Sequence, residues 1–232
     1  MPILNFYVVK NQAIKDEQTS GFKRYCKLRD DANKAFYIYQ GCKRRWMNQD
    51  SEERGNSGIN VLWPKQENQL FKEALEAANK GQSPNNISPI ITYSTSGGIT
   101  FQWMGDLETK FMENIQGDVK LSKVSVLFAP HHGRKTGKVP KTMLDILQPD
   151  IIVIGEASSD ELNYYQGYNT ITQNTAGDIT FINDGQLIHI YVSNTNYHVD
   201  FLYNLGKDKT KDGKYLGSHD ASNLPLKRVG NF

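Results

Sequence analysis

Apolar residues enter this chain in two rhythms. The first is the short β-branched or aromatic run that fits a strand: "PILNFYVV" from Pro2, "AFYIYQ" (35–40) and "GINVLWP" (58–64), the last halted by its proline. The second is helical. "KQENQLFKEALEAANKG" places Leu70, Phe71, Ala74, Leu75 and Ala78 on one face and stops at Gly81 after Lys80, a glycine termination signal. After the turn-rich loop "GQSPNNISP" the two rhythms interleave. "IITYST" and "ITFQWMGD", joined by "SGG", predict an antiparallel hairpin; "LETKFMENI" predicts a helix from Leu107; "VSVLFAP" predicts a buried strand. A helix opened by Pro140 ("PKTMLDILQ") and another buried strand ("DIIVIGEA") follow, and "NTAGDITFINDGQLIHIYV" adds two strands across an "NDG" turn. Alternation of strand and helix is the pattern of a layered α/β domain. Residues 11–54 are otherwise polar and mixed in charge. The chain beyond 195 reads as a polar tail with few apolar anchors, so the domain is expected over 1–195 and the tail over 196–232.

Composition changes this picture little. The chain has 232 residues, enough for a sizeable core, and a net charge of +2 with acids and bases interspersed, which excludes a global basic field. Two local basic patches stand out, "GCKRRW" ending at Trp46 and the lysine-rich "GKDKTKDGK" (206–214). Both read first as solvated surface. Cys26 and Cys42 are too few for a disulfide framework or a cysteine-based zinc site, so a reducing, cytoplasmic setting is expected. No run approaches the roughly 18 apolar residues of a membrane span, and "MPILNFYVVKNQ" lacks the features of a signal peptide, so no membrane partner is expected.

The candidate chemistry gathers at strand ends. Asp106 follows Gly105 at the end of one predicted strand, and His131 and His132 follow Pro130 at the end of the next, each before a helix. In an α/β sheet such ends are where ligands collect. A carboxylate and an imidazole brought to one edge suit zinc, manganese or iron. Arg134 and Lys135, next to the histidines, are placed to meet phosphate. His189 alternates with apolar neighbours in "LIHIYV" and reads as a satisfied sheet histidine, His198 and His219 as surface residues in or near the tail, and Trp103 and Tyr93 as strand-face residues.

Taken together, Asn85 to Ser88, "MGD" at Met104 to Asp106, "PHHGR" at Pro130 to Arg134 and "AGDITF" at Ala176 to Phe181 resemble the metallo-β-lactamase superfamily, in particular the branch like the hydrolase domain of the ComEC/Rec2 competence proteins. The resemblance implies an α/β fold that is the C-terminal portion of an αββα sandwich. It also implies hydrolysis of phosphodiester bonds in nucleic acid or nucleotides, assisted by two divalent ions, zinc or manganese. Asp106, His131 and His132 would be catalytic and metal-ligating; Arg134, Lys135, Asn85 and Ser88 would bind substrate. Departures accompany the match. No histidine precedes His131, so the family's His-x-His-x-Asp-His motif or its Asp-bearing variant is absent; arginine replaces serine after His-His-Gly; and "NYYQGYNT" stands where Gly-His-Pro is usual. With so few ligands this chain alone is expected to bind metal weakly or not at all, its site being completed by an N-terminal segment or partner chain. The competing expectation is a catalytically inactive module of the same family that binds a partner protein or nucleic acid. A lactonase-type hydrolase on the same scaffold is the third.

Overall fold

A computed structural model describes residues 2–220 of the chain except 54, 159, 186, 211 and 212; the end of the expected tail (221–232) and part of the lysine-rich run therefore lie outside the described residues. At the amino-terminal side, β1 (Phe6–Val8) and β2 (Ala35–Tyr37) pair in parallel as a two-stranded sheet of their own. Between them runs α1 (Ser20–Arg29), inside the segment that hydropathy alone presents as polar loop. Its start is fixed by Thr19, whose Oγ1 accepts the Phe22 N–H at 3.2 Å. It buries Leu28, and Tyr25 meets Phe6 and its own helix's Phe22 with ring centroids about 6 Å apart. At its far end the buried Arg29 guanidinium donates to the Asp30 carboxylate at 2.7 Å and to the Ala13 carbonyl at 3.1 Å.

The main sheet has six strands, β3 (Ile59–Trp63), β4 (Ile90–Ser94), β5 (Thr100–Trp103), β6 (Val126–Phe128), β7 (Ile151–Ile154) and β8 (Thr170–Thr172), lying side by side in chain order. β3, β4 and β5 are antiparallel neighbours, and β5 through β8 run parallel. Parallel neighbours need crossovers, and the predicted helices after β5 and β6 supply two of the three. α2 (Gln69–Asn79), α3 (Thr109–Ile115) and α4 (Lys141–Leu147) bury Phe71, Ala78, Met112, Ile115, Met143 and Leu147 in one core with Trp63, Ile90 and Leu127 of the sheet. Each of the larger side chains among these contributes roughly 1.5–3 kcal/mol relative to exposure.

The opposite face of the sheet, with Phe101, Val126, Ile151, Val153 and Ile171, packs on a second sheet. Its strands are β9 (Ile179–Asn183), β10 (Leu187–Val192) and β11 (Lys214–Asp220), with β10 in the centre; the short α5 (Gln173–Ala176) leads into β9. The result is helices, six-stranded sheet and three-stranded sheet in layers, an α/β architecture.

Besides the one-turn α5, three elements escape the sequence reading. β8 is only "TIT", too short to announce itself. α1 is mostly polar. β11 lies in the expected tail, where glycine and lysine mask a strand that pairs with β10 from Leu187–Asp220 to Val192–Lys214. His219 accordingly corrects the expectation of a surface residue: both of its ring nitrogens are buried, without a partner among the described residues. Nor is the β3 side of the main sheet bare. Ile59 donates to the Met47 carbonyl, and the Gln40 and Gly41 N–H groups reach the Pro64 and Val61 carbonyls, so the segment after β2 covers that edge. Among the described residues no helix is long and apolar enough to cross a membrane.

Candidate active site at the carboxyl ends of four parallel strands

Because β5, β6, β7 and β8 are parallel, the residues that follow them gather along one edge. A cleft of about 340 Å³ lies there, between the main sheet and β9, and each strand end contributes to it: Asp106 after β5, His132 after β6, Gly155 after β7 and Gln173 after β8. Its floor is one rung of the sheet, Trp103 paired with Phe128 and Phe128 with Val153. The Trp103 and Phe128 rings stack at 4.6 Å with 10° between their planes, and Phe181 meets Phe128 edge-on from the second sheet.

Asp106 and His132 face each other across this edge, Oδ1 to Nε2 3.7 Å, with side chains about half exposed. Backbone bonds lock their turns together. The His131 N–H donates to the Gly105 carbonyl at 2.9 Å, and the Asp106 N–H donates to Ser88 Oγ at 3.1 Å. Gly105 is required at this junction: it has φ of +56°, and a Cβ there would sit 2.5 Å from Ser88 Cβ. Both histidines are left-handed, φ +50° and +59°, a conformation costing an ordinary residue roughly 1–2 kcal/mol. The turn can hold it because glycines surround it. A Cβ on Gly137 would come within 2.4 Å of His131 Cβ, and one on Gly133 within 2.6 Å of Ile154 Cγ2. Beyond the turn, the Val139 N–H donates to the Tyr165 hydroxyl oxygen at 3.2 Å; burial pushes that phenol up to about 12, so it stays neutral.

The other sequence candidates take different places. His131 adjoins the pair through its backbone, while its Nδ1 is 3.0 Å from Thr136 Oγ1. Ser88 braces Asp106, and the Asn85 side chain donates to Glu108 at 3.3 Å; both border a second hollow on the other flank of Asp106. Arg134 and Lys135 are exposed on the loop that leaves the histidine turn, with the Lys135 N–H on Glu161 Oε1 at 3.2 Å. His189 is a satisfied core histidine, its ring nitrogens on Ser218 and Asp184. Gln173 went unseen in the sequence because it depends on β8 being a strand; the β-branched "TIT" before it was the available signal.

As ligands, Asp106 and His132 suit a single divalent ion. Two donors bound at about 2.1 Å in tetrahedral geometry lie about 3.4 Å apart, close to the distance observed. Among the described residues no group of three or more His, Cys, Asp or Glu side chains is arranged to hold a metal ion. No protein-family model matches the chain, and no curated protein matches it at a significant level.

Proposed function

We propose that the Asp106–His132 pair is the carboxylate–imidazole part of a divalent-metal centre, and that the protein hydrolyses phosphodiester bonds of nucleic acid or nucleotides. The observation that carries this reading is the 3.7 Å approach of Asp106 and His132 at the ends of adjacent parallel strands, inside a cleft. The resemblance of the "MGD" and "PHHGR" segments to the metallo-β-lactamase superfamily supports it, as does the layering of helices and two sheets, which fits the C-terminal portion of an αββα sandwich.

In this reading Asp106 and His132 hold zinc or manganese, and His131 fixes the turn or supplies a further donor. A bound divalent ion lowers the pKa of a coordinated water and offsets charge on the phosphoryl group. The Trp103–Phe128 stack gives a base an apolar face to lie on. Arg134 and Lys135, flexible cations on the adjoining loop, reach phosphate oxygens. The remaining ligands come from an N-terminal segment or partner chain, so metal binding by this chain alone is weak.

The test is hydrolysis of bis(p-nitrophenyl) phosphate and of single-stranded DNA, with millimolar manganese or zinc, by the chain together with the segment or partner that completes the metal site. Turnover should require the metal, disappear in Asp106→Asn, fall steeply in His132→Ala and persist in His219→Ala. An Asp106→Asn protein with the full metal-dependent rate overturns the reading and leaves the inactive binding module in its place.

A further inference from the structure

In the basic patch "GCKRRW" Lys43 and Arg45 are exposed, as the sequence suggests, but Arg44 is half-buried. Arg44 is turned inward. Its guanidinium lies 4.9 Å from the Tyr7 ring centroid and 4.7 Å from that of Phe36; Nη2 donates to Asn5 Oδ1 at 2.6 Å, and Nη1 is buried with no partner among the described residues. Beside it opens a cavity of about 510 Å³ walled by Tyr7, Ile38, Met47, Ile59, Val61 and Ile91. Trp46 closes part of the rim in a left-handed conformation, φ +67°, with its indole N–H on Ser51 Oγ.

We infer that this cavity is a binding site for a small organic anion with an aromatic body and a terminal carboxylate or phosphate, the oxyanion sitting on Arg44. The volume is that of a small-molecule pocket, about 300–1,000 Å³, and such pockets combine apolar walls with a few polar groups that fix orientation. The charge balance specifies the polar end. Arg44 and Arg45 both border the cavity, and among the described residues no carboxylate lines it. Arg45 pairs with Glu53 at 3.7 Å in the open, whereas Arg44 faces rings and one amide oxygen. A guanidinium is never neutral, so a cavity that Arg44 and Arg45 border favours an anionic ligand, and a carboxylate or phosphate matches the guanidinium fork. An inward-facing cation under apolar walls suits a compact ligand better than a nucleic-acid backbone, which runs along exposed charges. The site is independent of the Asp106–His132 cleft.

Calorimetric titration of the protein with naphthalene-1-carboxylate, 1-naphthyl phosphate and the neutral naphthalene-1-carboxamide tests it. At least one anion should bind with unit stoichiometry and about tenfold or more tighter than the amide. A stronger phosphate identifies a phosphorylated ligand, a stronger carboxylate an organic acid. Arg44→Gln should remove that preference. Ser57→Trp, which fills the mouth from the exposed side and leaves Arg44 in place, should block all binding, and Asp106→Asn should leave it unchanged. Equal binding of anion and amide overturns the proposal, as does binding that survives Ser57→Trp or no binding of either anion. The comparison of anion with amide uses the unaltered protein, so it stands even if Arg44→Gln misfolds.

Discussion

Two acid–histidine pairs occupy opposite kinds of environment in this molecule. Asp184 and His189 meet at 2.8 Å across the hairpin of β9 and β10, with the imidazole only 5% exposed and its other nitrogen 2.6 Å from Ser218 Oγ. That is the inventory of a nucleophilic triad, but Ser218 is fully buried and its hydroxyl is also held by Tyr215. No substrate carbonyl reaches it, so the network is a polar brace for the second sheet. Asp106 and His132 are the inverse: 3.7 Å apart, side chains 46% and 52% exposed, on a turn held in left-handed backbone by the glycines around it. His132 has no shorter partner among the described residues. The same two residue types give stability where their hydrogen bonds are complete and an open, half-exposed pair where the fold withholds them.

Mutations should therefore separate the two pairs. The largest effect expected is the loss of metal-dependent hydrolysis in Asp106→Asn. An amide of the same shape removes the carboxylate charge while urea unfolding stays within about 0.5 kcal/mol of the parent, as for other exposed substitutions. His189→Ala should do the reverse. Removing both hydrogen bonds and leaving a buried hole should cost about 2–4 kcal/mol in urea unfolding, with residual folded protein still active. His132→Ala, beside it in the same assay, should be nearly neutral for stability. If the two histidine variants unfold alike, the division between brace and site does not hold.

A smaller effect sharpens the comparison through pH. His219, on β11, lies near Asp150, Asp220 and Lys123, and burial holds its imidazole below the usual histidine range, the two acids opposing that shift only in part. The unfolded chain then takes up a proton near pH 6.5 that the folded chain resists, so stability should fall as pH drops below about 6.5. His219→Gln should flatten that slope in denaturation curves taken between pH 7 and 5. An unchanged slope would mean that the imidazole is protonated in place.

Much of this architecture is legible in the sequence, and the exceptions share a cause. The long buried strands, the hairpin, α2 and α4 announce themselves because their apolar residues repeat at the period of the element that buries them. β8, α1 and β11 do not. β8 has three residues, α1 buries little beyond aromatic contacts, and β11 is held by pairing to β10 rather than by its own pattern. The meeting of Asp106 and His132 follows from two strand ends once β5 and β6 are neighbours. Gln173 depends on the unseen β8. The inward turn of Arg44 depends on Tyr7 and Phe36, which come from two distant segments that no local pattern connects.

The most direct measurement of the central claim is a manganese titration followed in the imidazole region of the NMR spectrum. A paramagnetic ion held by Asp106 and His132 should broaden the His132 resonances first, leave the enclosed His189 resonances sharp at low manganese, and lose its effect in Asp106→Asn. Broadening that ignores His132, or that persists undiminished in Asp106→Asn, would contradict the assignment of this pair as a metal centre.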